Sequence, residues 1–445
     1  MYAVDELLQI LADWNRWWET GEVLPELIGK RRQYTLELVD QIDMPEVKAL
    51  TGVRRSGKST IFYQLIDWLL KNKNVLPHHI LLINFEDEVL SHFTLDTIFN
   101  AYQTRFSSES EVYLFLDEVQ ESKGWERWIR KKYDLKQKIH FFVTGSSAGL
   151  LSGEYATLLT GRNLTTTIYP LSFKEVLSFS EIEIKDISLI SQKTRNLING
   201  VFLRYLADGG FPEIVLREEK MKRRLLNQYF QDIIYKDIVN RYGCHPTKIK
   251  DLAAYLMTNI SNLVSLRALR GTFGYGLNLI GEYLGHLEDA FLVFQLYLFD
   301  YSMKRQLVNP RKIYAIDNGL RNAVAFKFSQ DKGRLLENLV FLELKKRNSD
   351  IYYWKDNRGK EVDFLIRKGL EIASAIQVCF DPEDEKTLRR EISSLEAAMR
   401  EFELTKSVII TMNESKTLEV DMGTITLVPL YEWLLSTDGA EPLAA

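Results

Sequence analysis

Cysteine is scarce in this 445-residue chain, which has only Cys244 and Cys379. Two thiols cannot build a disulfide framework or a cysteine-based zinc site, so a reducing cytosol is the simplest expected compartment. A long apolar run is also missing, because the most apolar stretch, Phe291 to Phe299, is too short to span a bilayer. The first residues include acids and no basic region, and the sequence therefore predicts no secretion signal.

A strong excess of one charge is absent as well. The net charge is −4 at pH 7, so any nucleic-acid surface would have to be local. Hydrophobic residues make up 46% of the chain and charged residues 27%, as in ordinary soluble proteins that bury a core. No internal repeat or low-complexity tract occurs, and the length favours about three domains.

Between Val47 and Pro170, four apolar runs alternate with helical patterns. The runs are VKALTG, HILLINFED, VYLFLDEV and KIHFFVTGS, and the clearest helical patterns are STIFYQLIDWLLKN and GWERWIRKKYDLK. Such alternation favours parallel strands joined by crossover helices. We therefore predict a doubly wound α/β domain over residues 46–171, preceded by a helical segment over residues 1–45.

The remainder of the chain shows three further patterns. Residues 172–244 are mainly helical, apart from ADGGFPEIV. Residues 245–330 present three helices followed by two strands, which is the order of a winged helix-turn-helix. Residues 331–445 combine a helix, a strand pair at Val362–Ile366 and Ala373–Val378, a charged helix and a late strand. This last pattern indicates a second α/β unit.

The segment GVRRSGKST matches the phosphate-binding pattern G-x-x-x-x-G-K-[ST] between a predicted strand and a predicted helix. Gly52 and Gly57 permit backbone angles that aim N–H groups at phosphate oxygens. Lys58 supplies a cation for the β- and γ-phosphates, Ser59 offers a hydroxyl to Mg²⁺, and the next helix presents its positive N-terminus. The predicted nucleotide-binding residues are Gly52, Arg55, Ser56, Gly57, Lys58, Ser59 and Thr60. A chance glycine-rich turn is the alternative.

An acidic pair ends the apolar strand in VYLFLDEVQ. Asp117 is expected to hold the Mg²⁺ shell, and Glu118 is expected to polarise the attacking water, with Lys58 as the catalytic cation. A solvated turn is the alternative. It fits poorly, because apolar and aromatic residues come directly before the pair and the phosphate loop lies upstream.

Two further stretches contain candidates that would complete this site. Thr144 or Ser146, in VTGSS, could hydrogen-bond the γ-phosphate or the attacking water, although a plain strand-to-loop turn fits equally well. Arg162, in LLTGRNLTTTIYPLSF, follows a predicted helix and is a candidate arginine finger that acts on a neighbouring protomer. Ordinary surface charge is the alternative for Arg162.

From about Glu46 to Trp433 the chain resembles a large prokaryotic family of AAA+-type ATPases. The resemblance rests on LTGVRRSGKST, LFLDEVQ, FFVTGSS, LTGRNLTTTIYPLSFKEV, DGGFPEIV and YKDIVNRYG, which occur in the family's order. It implies a P-loop AAA+ ATPase domain over 46–171, a helical lid over 172–244, a winged helix over 245–330 and a restriction-endonuclease-like α/β domain over 331–445. This last domain is often described as domain of unknown function 4143. ATP, Mg²⁺ and contact with DNA are further implications of the resemblance.

In a winged helix, the third helix commonly enters the major groove of DNA. Here that helix, LNLIGEYLGHLEDA, contains Glu282, Glu288 and Asp289 but no lysine or arginine, which matches phosphate contact poorly. Asn278 and His286 could still contact base edges. Nearby basic residues could line the wing and the second helix: Arg267, Arg270, Lys304, Arg305, Arg311 and Lys312. A structural spacer or a protein-docking unit is the alternative.

Restriction-endonuclease-like sites use a helix carboxylate, an Asp on one strand, and an acid and a lysine two apart on the next strand. The resemblance places Glu337 and Asp363 at the first two positions. Gln377 and Cys379 stand where the acid and the lysine are expected. An amide binds a hard cation weakly and a thiol lacks the positive charge, so we interpret this site as degenerate. Two cations from the preceding turn could substitute: Arg358 and Lys360.

These features predict a cytoplasmic, Mg²⁺-dependent, ATP-binding and ATP-hydrolysing AAA+ protein that acts on or with duplex DNA and self-associates. Its nucleotide state would reposition the winged-helix and nuclease-like domains. One alternative is a nucleotide-gated scaffold or switch that binds no DNA, which the acidic third helix and the net charge favour. The other is an ATP-dependent DNA nuclease, which Gln377 and Cys379 disfavour.

Overall fold

The computed structural model describes residues 4–106, 111–151, 161–184, 186–325 and 332–436. These residues fold as two compact units. The first comprises the described residues of Met1–Tyr169 with the segment Asp289–Phe291, and the second comprises those of Pro170–Glu288 and Leu292–Ala445. Each unit has its own sheets and its own candidate site residues.

A five-stranded parallel sheet forms the centre of the described part of the first unit. Its strands are β1 Val47–Thr51, β2 Ile80–Asn84, β3 Val112–Asp117, β4 Ile139–Gly145 and β5 Asn163–Thr167. They lie in the order β2-β3-β4-β1-β5, and each neighbouring pair is parallel. The predicted α/β fold is confirmed. Strand β5 was not predicted, because the asparagine and threonines of NLTTT form no apolar run.

Helices pack against this sheet from two sides. They are α1 Val4–Trp14, α2 Trp17–Thr20, α3 Pro25–Ile28, α4 Gln33–Asp40, α5 Lys58–Lys71, α6 Leu95–Arg105 and α7 Trp125–Asp134, with 3₁₀ helices at Pro77–His79, Leu90–His92, Val119–Glu121 and Ala148–Leu151. Two buried clusters result, one containing Val47 and the other Leu50. Leu11 enters the first cluster and Trp17 the second, so the N-terminal helices are part of the core of this unit.

The second unit begins with a mainly helical stretch. Its helices are α8 Phe173–Phe179, α9 Gln192–Asp208, α10 Pro212–Leu216, α11 Glu219–Asp232, a π-helical segment Ile233–Val239 and α12 Asn240–Tyr242, with a 3₁₀ helix at Ile187–Leu189. A capping box starts α8: the Ser172 hydroxyl accepts from the Glu175 backbone N–H over 3.2 Å, and the Glu175 carboxylate accepts from the Ser172 N–H over 2.9 Å. The serine and the glutamate of PLSFKEV therefore have a local structural role, which is to begin α8.

Two glycines end α9 where the chain meets a buried carboxylate. The Gly210 N–H donates to Asp317 over 2.6 Å, and a Cβ at Gly209 would lie 2.0 Å from the same carboxylate. Gly209 also has φ 79, which disfavours a side chain. The sequence DGGFPEIV therefore has a packing reason: only glycine lets the chain approach Asp317 this closely.

The next described part of the second unit combines five helices with a small antiparallel sheet. Its elements are α13 Pro246–Thr258, β6 Leu263–Val264, α14 Leu266–Phe273, α15 Leu277–Asp289, β7 Val293–Leu296, α16 Met303–Val308, β8 Arg311–Ala315 and α17 Asn318–Val324. The strand order is β6-β8-β7. The sequence pattern predicts β7 and β8. It misses the two-residue strand β6 and also α16, which lies between β7 and β8.

A separate six-stranded sheet completes the described part of the second unit. Its elements are α18 Lys332–Lys346, β9 Asp350–Lys355, β10 Glu361–Lys368, β11 Glu371–Cys379, α19 Glu385–Phe402, β12 Lys406–Thr411, β13 Lys416–Val420, β14 Gly423–Pro429 and α20 Leu430–Leu435. The strands lie in the order β13-β14-β12-β11-β10-β9. The proposed domain boundary at residue 330 lies outside the described residues. Within those described, no helix has both the length and the apolar character that a membrane crossing requires.

Candidate ATPase site and a buried lysine–carboxylate cluster

The phosphate-binding segment lies between β1 and α5, at the carboxyl end of the parallel sheet. Helix α5 begins at Lys58, and no side chain caps its first turn. Gly52 has φ 144 and Gly57 has φ 98, values that residues with a side chain rarely adopt. A Cβ at Gly52 would also lie 2.2 Å from the carbonyl oxygen of Ile168. The loop conformation therefore depends on glycine.

The other predicted loop residues differ in exposure. Arg55 is exposed and has φ 69, and Ser56 is buried. Ser59 and Thr60 are half-buried in the first turn of α5. The loop thus presents one exposed basic side chain and two hydroxyls at the start of the helix.

The Lys58 ammonium is buried between the loop and the acidic pair. It donates to the carbonyl oxygens of Gly52 over 3.0 Å and Val53 over 3.3 Å, and it lies 3.8 Å from the Glu118 carboxylate. Its side chain is 4% exposed. A phosphate held by the loop would therefore lie close to this cation.

Thr144 connects the two acids of the pair. Its hydroxyl donates to the Asp117 carboxylate and accepts from the Glu118 backbone N–H over 2.9 Å. Strand β4 lies between β1 and β3, and Thr144 is in register with Leu50 near the end of β1. One hydroxyl thus fixes both the Asp117 side chain and the start of the turn after β3.

Burial, followed by the neighbouring Glu118 carboxylate, raises the pKa of Asp117 to about 6. Hydrogen bonds from Thr144 and Ser59, together with the charge of Lys58, act in the opposite direction. A bound cation would reduce this cost of burial. The Asp117 carboxylate and the Ser59 hydroxyl are oxygen ligands of the kind that Mg²⁺ takes, so these residues fit a magnesium ion.

Glu118 is held in an unusual conformation. Its φ is 49, in the left-handed region that few residues with a side chain occupy. The Gln120 amide donates to its carboxylate over 2.5 Å. Such backbone strain is common at functional sites, where it fixes the direction of a side chain. Gln120 was not predicted, since a glutamine after an acidic pair carries no distinctive signal.

Ser146 is fully buried just after β4, at the carboxyl end of the parallel strands. Arg162 lies at the amino end of the same sheet, just before β5. The Arg162 carbonyl accepts from the Val47 N–H at the start of β1, and its Nε is 3.3 Å from Asp134. The phosphate loop follows the carboxyl end of β1, so the length of this strand, about 15 Å, separates Arg162 from the loop. Arg162 therefore does not join the site of its own chain. The helix predicted before it lies outside the described residues.

Arg32 is a site-supporting residue that sequence reasoning missed. Its guanidinium is buried and donates to the carbonyl oxygens of Ser56, over 2.7 Å, and Tyr169, over 3.0 Å. The segment just before Arg32 is also held, because the Gln64 amide of α5 donates to the carbonyl oxygens of Ile28 and Lys30. Two arginines before a short helix give no sequence signal for such a role, because it depends on a contact with a loop 24 residues away.

In the second unit, Glu337 and Asp363 come together around a lysine from another strand. The Lys312 ammonium of β8 lies 2.7 Å from Asp363, 3.0 Å from Glu361 and 3.2 Å from Glu337. The Tyr314 hydroxyl donates to Glu337 over 2.7 Å. We call these five residues the lysine–carboxylate cluster.

The expected substitute cations Lys360 and Arg358 do not occupy this position. The Lys360 ammonium donates to Ser393, over 2.7 Å to the hydroxyl and 3.0 Å to the carbonyl. Arg358 is exposed on the turn, where its N–H donates to Asp356. The hypothesis that either residue replaces the missing lysine is therefore corrected: Lys312 supplies the cation. Lys312 belongs to β8 of the preceding three-stranded sheet, so its position in the sequence gives no indication of this role.

Gln377 and Cys379 also have structural partners. The Gln377 amide accepts from the Asp363 N–H over 3.1 Å and donates to Glu391 over 2.6 Å. Cys379 is buried in an apolar cluster with Leu395, and burial, followed by Glu391, raises its thiol pKa to about 11. Among the residues that the structure describes, no group of three or more His, Cys, Asp or Glu side chains is placed to hold a metal ion.

The basic residues considered for DNA contact divide into two groups. Lys312 is buried in the lysine–carboxylate cluster and cannot contact DNA. Arg311 donates to Gln295 over 2.6 Å and stacks over Tyr297. The exposed members are Arg267, Arg270, Lys304 and Arg305, of which Arg305 pairs with Asp300.

The third helix, α15, exposes few candidate contacts. Asn278 and Glu282 are exposed, and His286 stacks on Tyr242 with ring centroids 3.9 Å apart. Glu288 accepts two hydrogen bonds from Gln295. This helix therefore presents an amide and an acid, and no lysine or arginine.

Three family models match the chain in succession. A model described as AAA domain matches residues 44–177, a domain of unknown function (DUF8612) matches residues 200–331, and a domain of unknown function (DUF4143) matches residues 332–433. An uncharacterized protein of Methanocaldococcus jannaschii is 35% identical over 432 residues, covering 92% of this chain and 93% of that protein. An uncharacterized protein of Haemophilus influenzae is 32% identical over 419 residues, covering 91% and 98%.

Among solved structures, the Walker-type ATPase of Pyrococcus abyssi is similar over 68% of this chain and 97% of its own, with 16% identity and a TM-score of 0.42. The fold assignment rests on the strand order described above and not on this likeness. The match to the AAA domain covers the phosphate loop and the acidic strand, and the match to DUF4143 covers the six-stranded sheet. The chain belongs to the family of AAA-type ATPase proteins that carry a C-terminal domain of unknown function 4143.

Proposed function

We propose that the chain hydrolyses ATP with Mg²⁺ and uses the nucleotide state to control a second unit that acts on or with duplex DNA. The observation that carries the ATPase part is the convergence of Lys58, Asp117 and Glu118, with Thr144 bonded to both acids. In this proposal they serve as the cation, the metal-binding acid and the water-orienting acid of a phosphoryl-transfer site.

Each residue has a specific part in this proposal. The loop N–H groups and Lys58 would bind the β- and γ-phosphates, and Glu118 would orient the attacking water in line with the γ-phosphate. Ser59 and Asp117 would hold the Mg²⁺, which when bound neutralises charge on the phosphates. Thr144 positions Asp117 and Glu118, and Arg32 fixes the loop by donating to the Ser56 carbonyl oxygen.

The proposed action on DNA rests on the element order and on two exposed arginines. The order of helices and strands from α13 to β8 matches a winged helix, and the exposed Arg267 and Arg270 of its second helix offer phosphate contacts. Self-association is part of the proposal, with Arg162 as the residue that would act on a neighbouring protomer.

A protein-docking role is the second candidate, and exposed apolar residues favour it. Around α16 the exposed fractions of Tyr301, Met303 and Val308 are 85%, 69% and 71%. Apolar side chains gathered on an exposed segment are typical of interaction surfaces. Together with the acid-bearing α15, they support a nucleotide-gated scaffold that binds no DNA.

The ATPase assignment predicts distinct results for two substitutions. Lys58→Ala should abolish ATP turnover, because it removes the buried cation that lies between the loop carbonyls and Glu118. Glu118→Gln should retain ATP binding and lower turnover about 100-fold or more. Turnover is measured by phosphate release, and binding is measured by equilibrium titration.

Lys71→Ala is the matched control for these variants. Lys71 is the exposed last residue of the same helix, where it pairs with Asp67, so turnover should stay at the wild-type level. Full turnover by Lys58→Ala would contradict the assignment of the phosphate loop.

A further inference from the structure

The lysine–carboxylate cluster is not used by the ATPase chemistry, yet it brings three carboxylates of the second unit to one buried lysine. One oxygen from each of three carboxylates lies within 3.2 Å of the Lys312 ammonium. The Lys312 side chain is 3% exposed, and those of Asp363 and Glu337 are 10% and 13% exposed. Carboxylate oxygens are the ligands that hard divalent cations take in proteins, and here the ammonium occupies the point at which these three oxygens meet.

The charges require a cation at this position. Burial, followed by the Asp363 carboxylate, raises the pKa of Glu337 to about 7. Burial lowers the pKa of Lys312, but the charges of Asp363 and Glu337 outweigh it and raise the pKa well above its ordinary value. The ammonium therefore stays charged. Removing it would leave the largely buried Glu337 and Asp363 carboxylates without this counter-charge, whereas Glu361 would keep Lys355 as a partner.

The backbone is shaped to bring Asp363 to this cation. The register of β10 against β9 shifts between Val362 and Leu365, so Asp363 and Phe364 of β10 together oppose Tyr353 of β9. Such a bulge re-aims a side chain. The second oxygen of Asp363 accepts from the Val378 N–H over 2.9 Å, and Gln377 holds the Asp363 backbone.

We propose that the Lys312 ammonium takes the place of a divalent cation in a nuclease-like site, so that the chain's own lysine closes the site to metal. The cation comes from β8 of the three-stranded sheet, whereas the acids belong to α18 and β10 of the terminal domain. Lys312 therefore also holds that sheet against the terminal domain. This inference is independent of the proposed ATPase function, because it uses none of the ATPase residues.

Replacing Lys312 by a neutral residue should convert the cluster into a metal site. In the full-length protein, Lys312→Met should gain a Tb³⁺ luminescence signal, because Tyr314 lies beside Glu337 and would sensitise a bound Tb³⁺. Mn²⁺ should displace this signal and should raise the thermal unfolding temperature of Lys312→Met. The wild type should show neither the signal nor the Mn²⁺-dependent rise beyond its ATPase-site background.

Two variants control for other sources of the signal. Lys360→Met removes a lysine of the same domain that bonds Ser393, and it should behave as wild type. Lys312→Met combined with Asp363→Asn should lose the gained signal, because a carboxylate ligand is gone.

Lys312→Met itself could fail to fold without metal. The double variant Lys312→Met with Glu361→Gln has the same formal charge in the cluster as the wild type and keeps Glu337 and Asp363. It is titrated in the same way if the single variant does not fold. If neither variant gains Tb³⁺ or Mn²⁺ binding, the proposal is wrong. An Asp363-dependent Tb³⁺ signal in the wild type would also overturn it, because Lys312 would then not close the site.

Discussion

At the residue scale, each buried charge in the two sites described above is matched by a fixed partner. In the ATPase site, the Thr144 hydroxyl holds the buried Asp117 and the N–H of Glu118. In the terminal domain, Lys312 and Tyr314 serve Glu337 in the same way. Fixed partners reduce the cost of burying charge and set the direction of each side chain, which is the requirement of a preorganised site.

The part assigned to Thr144 leads to a prediction about its hydroxyl. Thr144→Val keeps the volume but removes the donor to Asp117, so ATP turnover should fall by about 10–100-fold, as for other residues that orient metal ligands. Thr144→Ser keeps the hydroxyl and should retain most of the turnover. Steady-state turnover at saturating ATP is the measurement. Equal activity of the valine and serine variants would show that the hydroxyl is dispensable.

At the element scale, close backbone approaches decide how the second unit is assembled. The end of α9 and the start of α17 meet at Asp317, which accepts from the Gly210 N–H over 2.6 Å and caps α17 by accepting from Leu320 over 2.8 Å. A Cβ at Gly319 would lie 1.8 Å from the Asp208 carbonyl oxygen. The two helix ends interlock through glycines and one carboxylate.

Gly209→Ala should therefore destabilise the protein. The methyl group would overlap the Asp317 carboxylate at a position with φ 79, and the expected loss is about 2–4 kcal/mol of unfolding free energy. Gly200→Ala is the matched control, since Gly200 lies within α9 and a methyl group there would meet no neighbouring side chain within 4 Å. That change should be neutral or stabilising by about 1 kcal/mol. Urea unfolding measures both, and an unchanged midpoint for Gly209→Ala would contradict the packing argument.

At the scale of the whole molecule, the charged sites are divided between two units. The first unit carries the ATPase residues, and the second carries the lysine–carboxylate cluster and the exposed arginines of α14. The net charge of −4 means that duplex DNA would be held by a local basic surface and not by the molecule as a whole.

A local basic surface predicts a steep dependence of DNA affinity on salt. Affinity of the full-length protein for duplex DNA should fall as salt rises, and Arg267→Ala with Arg270→Ala should reduce the salt slope by about two if each contacts a phosphate. Arg400→Ala is the control, because Arg400 is exposed in the terminal domain and pairs with Asp421. Fluorescence anisotropy at several salt concentrations is the measurement. Absence of binding at low salt would favour the docking role.

Sequence reasoning reached the ATPase site because its signals are local. Lys58 and Asp117 follow apolar strands at recognisable spacings, and parallel strands bring their carboxyl ends to one edge of a sheet. It missed Arg32 and Gln120, and it grouped Lys312 with the basic residues that could line a DNA-contacting surface. The roles of Arg32 and Lys312 depend on contacts between distant segments, for which a single sequence carries no periodic signal.

The sequence by itself determined the parallel α/β core, the phosphate loop and the acidic strand, because hydrophobic periodicity and glycine spacing are properties of neighbouring residues. It also showed that Gln377 and Cys379 cannot replace an acid and a lysine. Only the tertiary structure decided which cation faces Glu337 and Asp363. That choice depends on how β8 packs against α18 and β10, and a buried charge is satisfied by whichever residue the fold brings within reach.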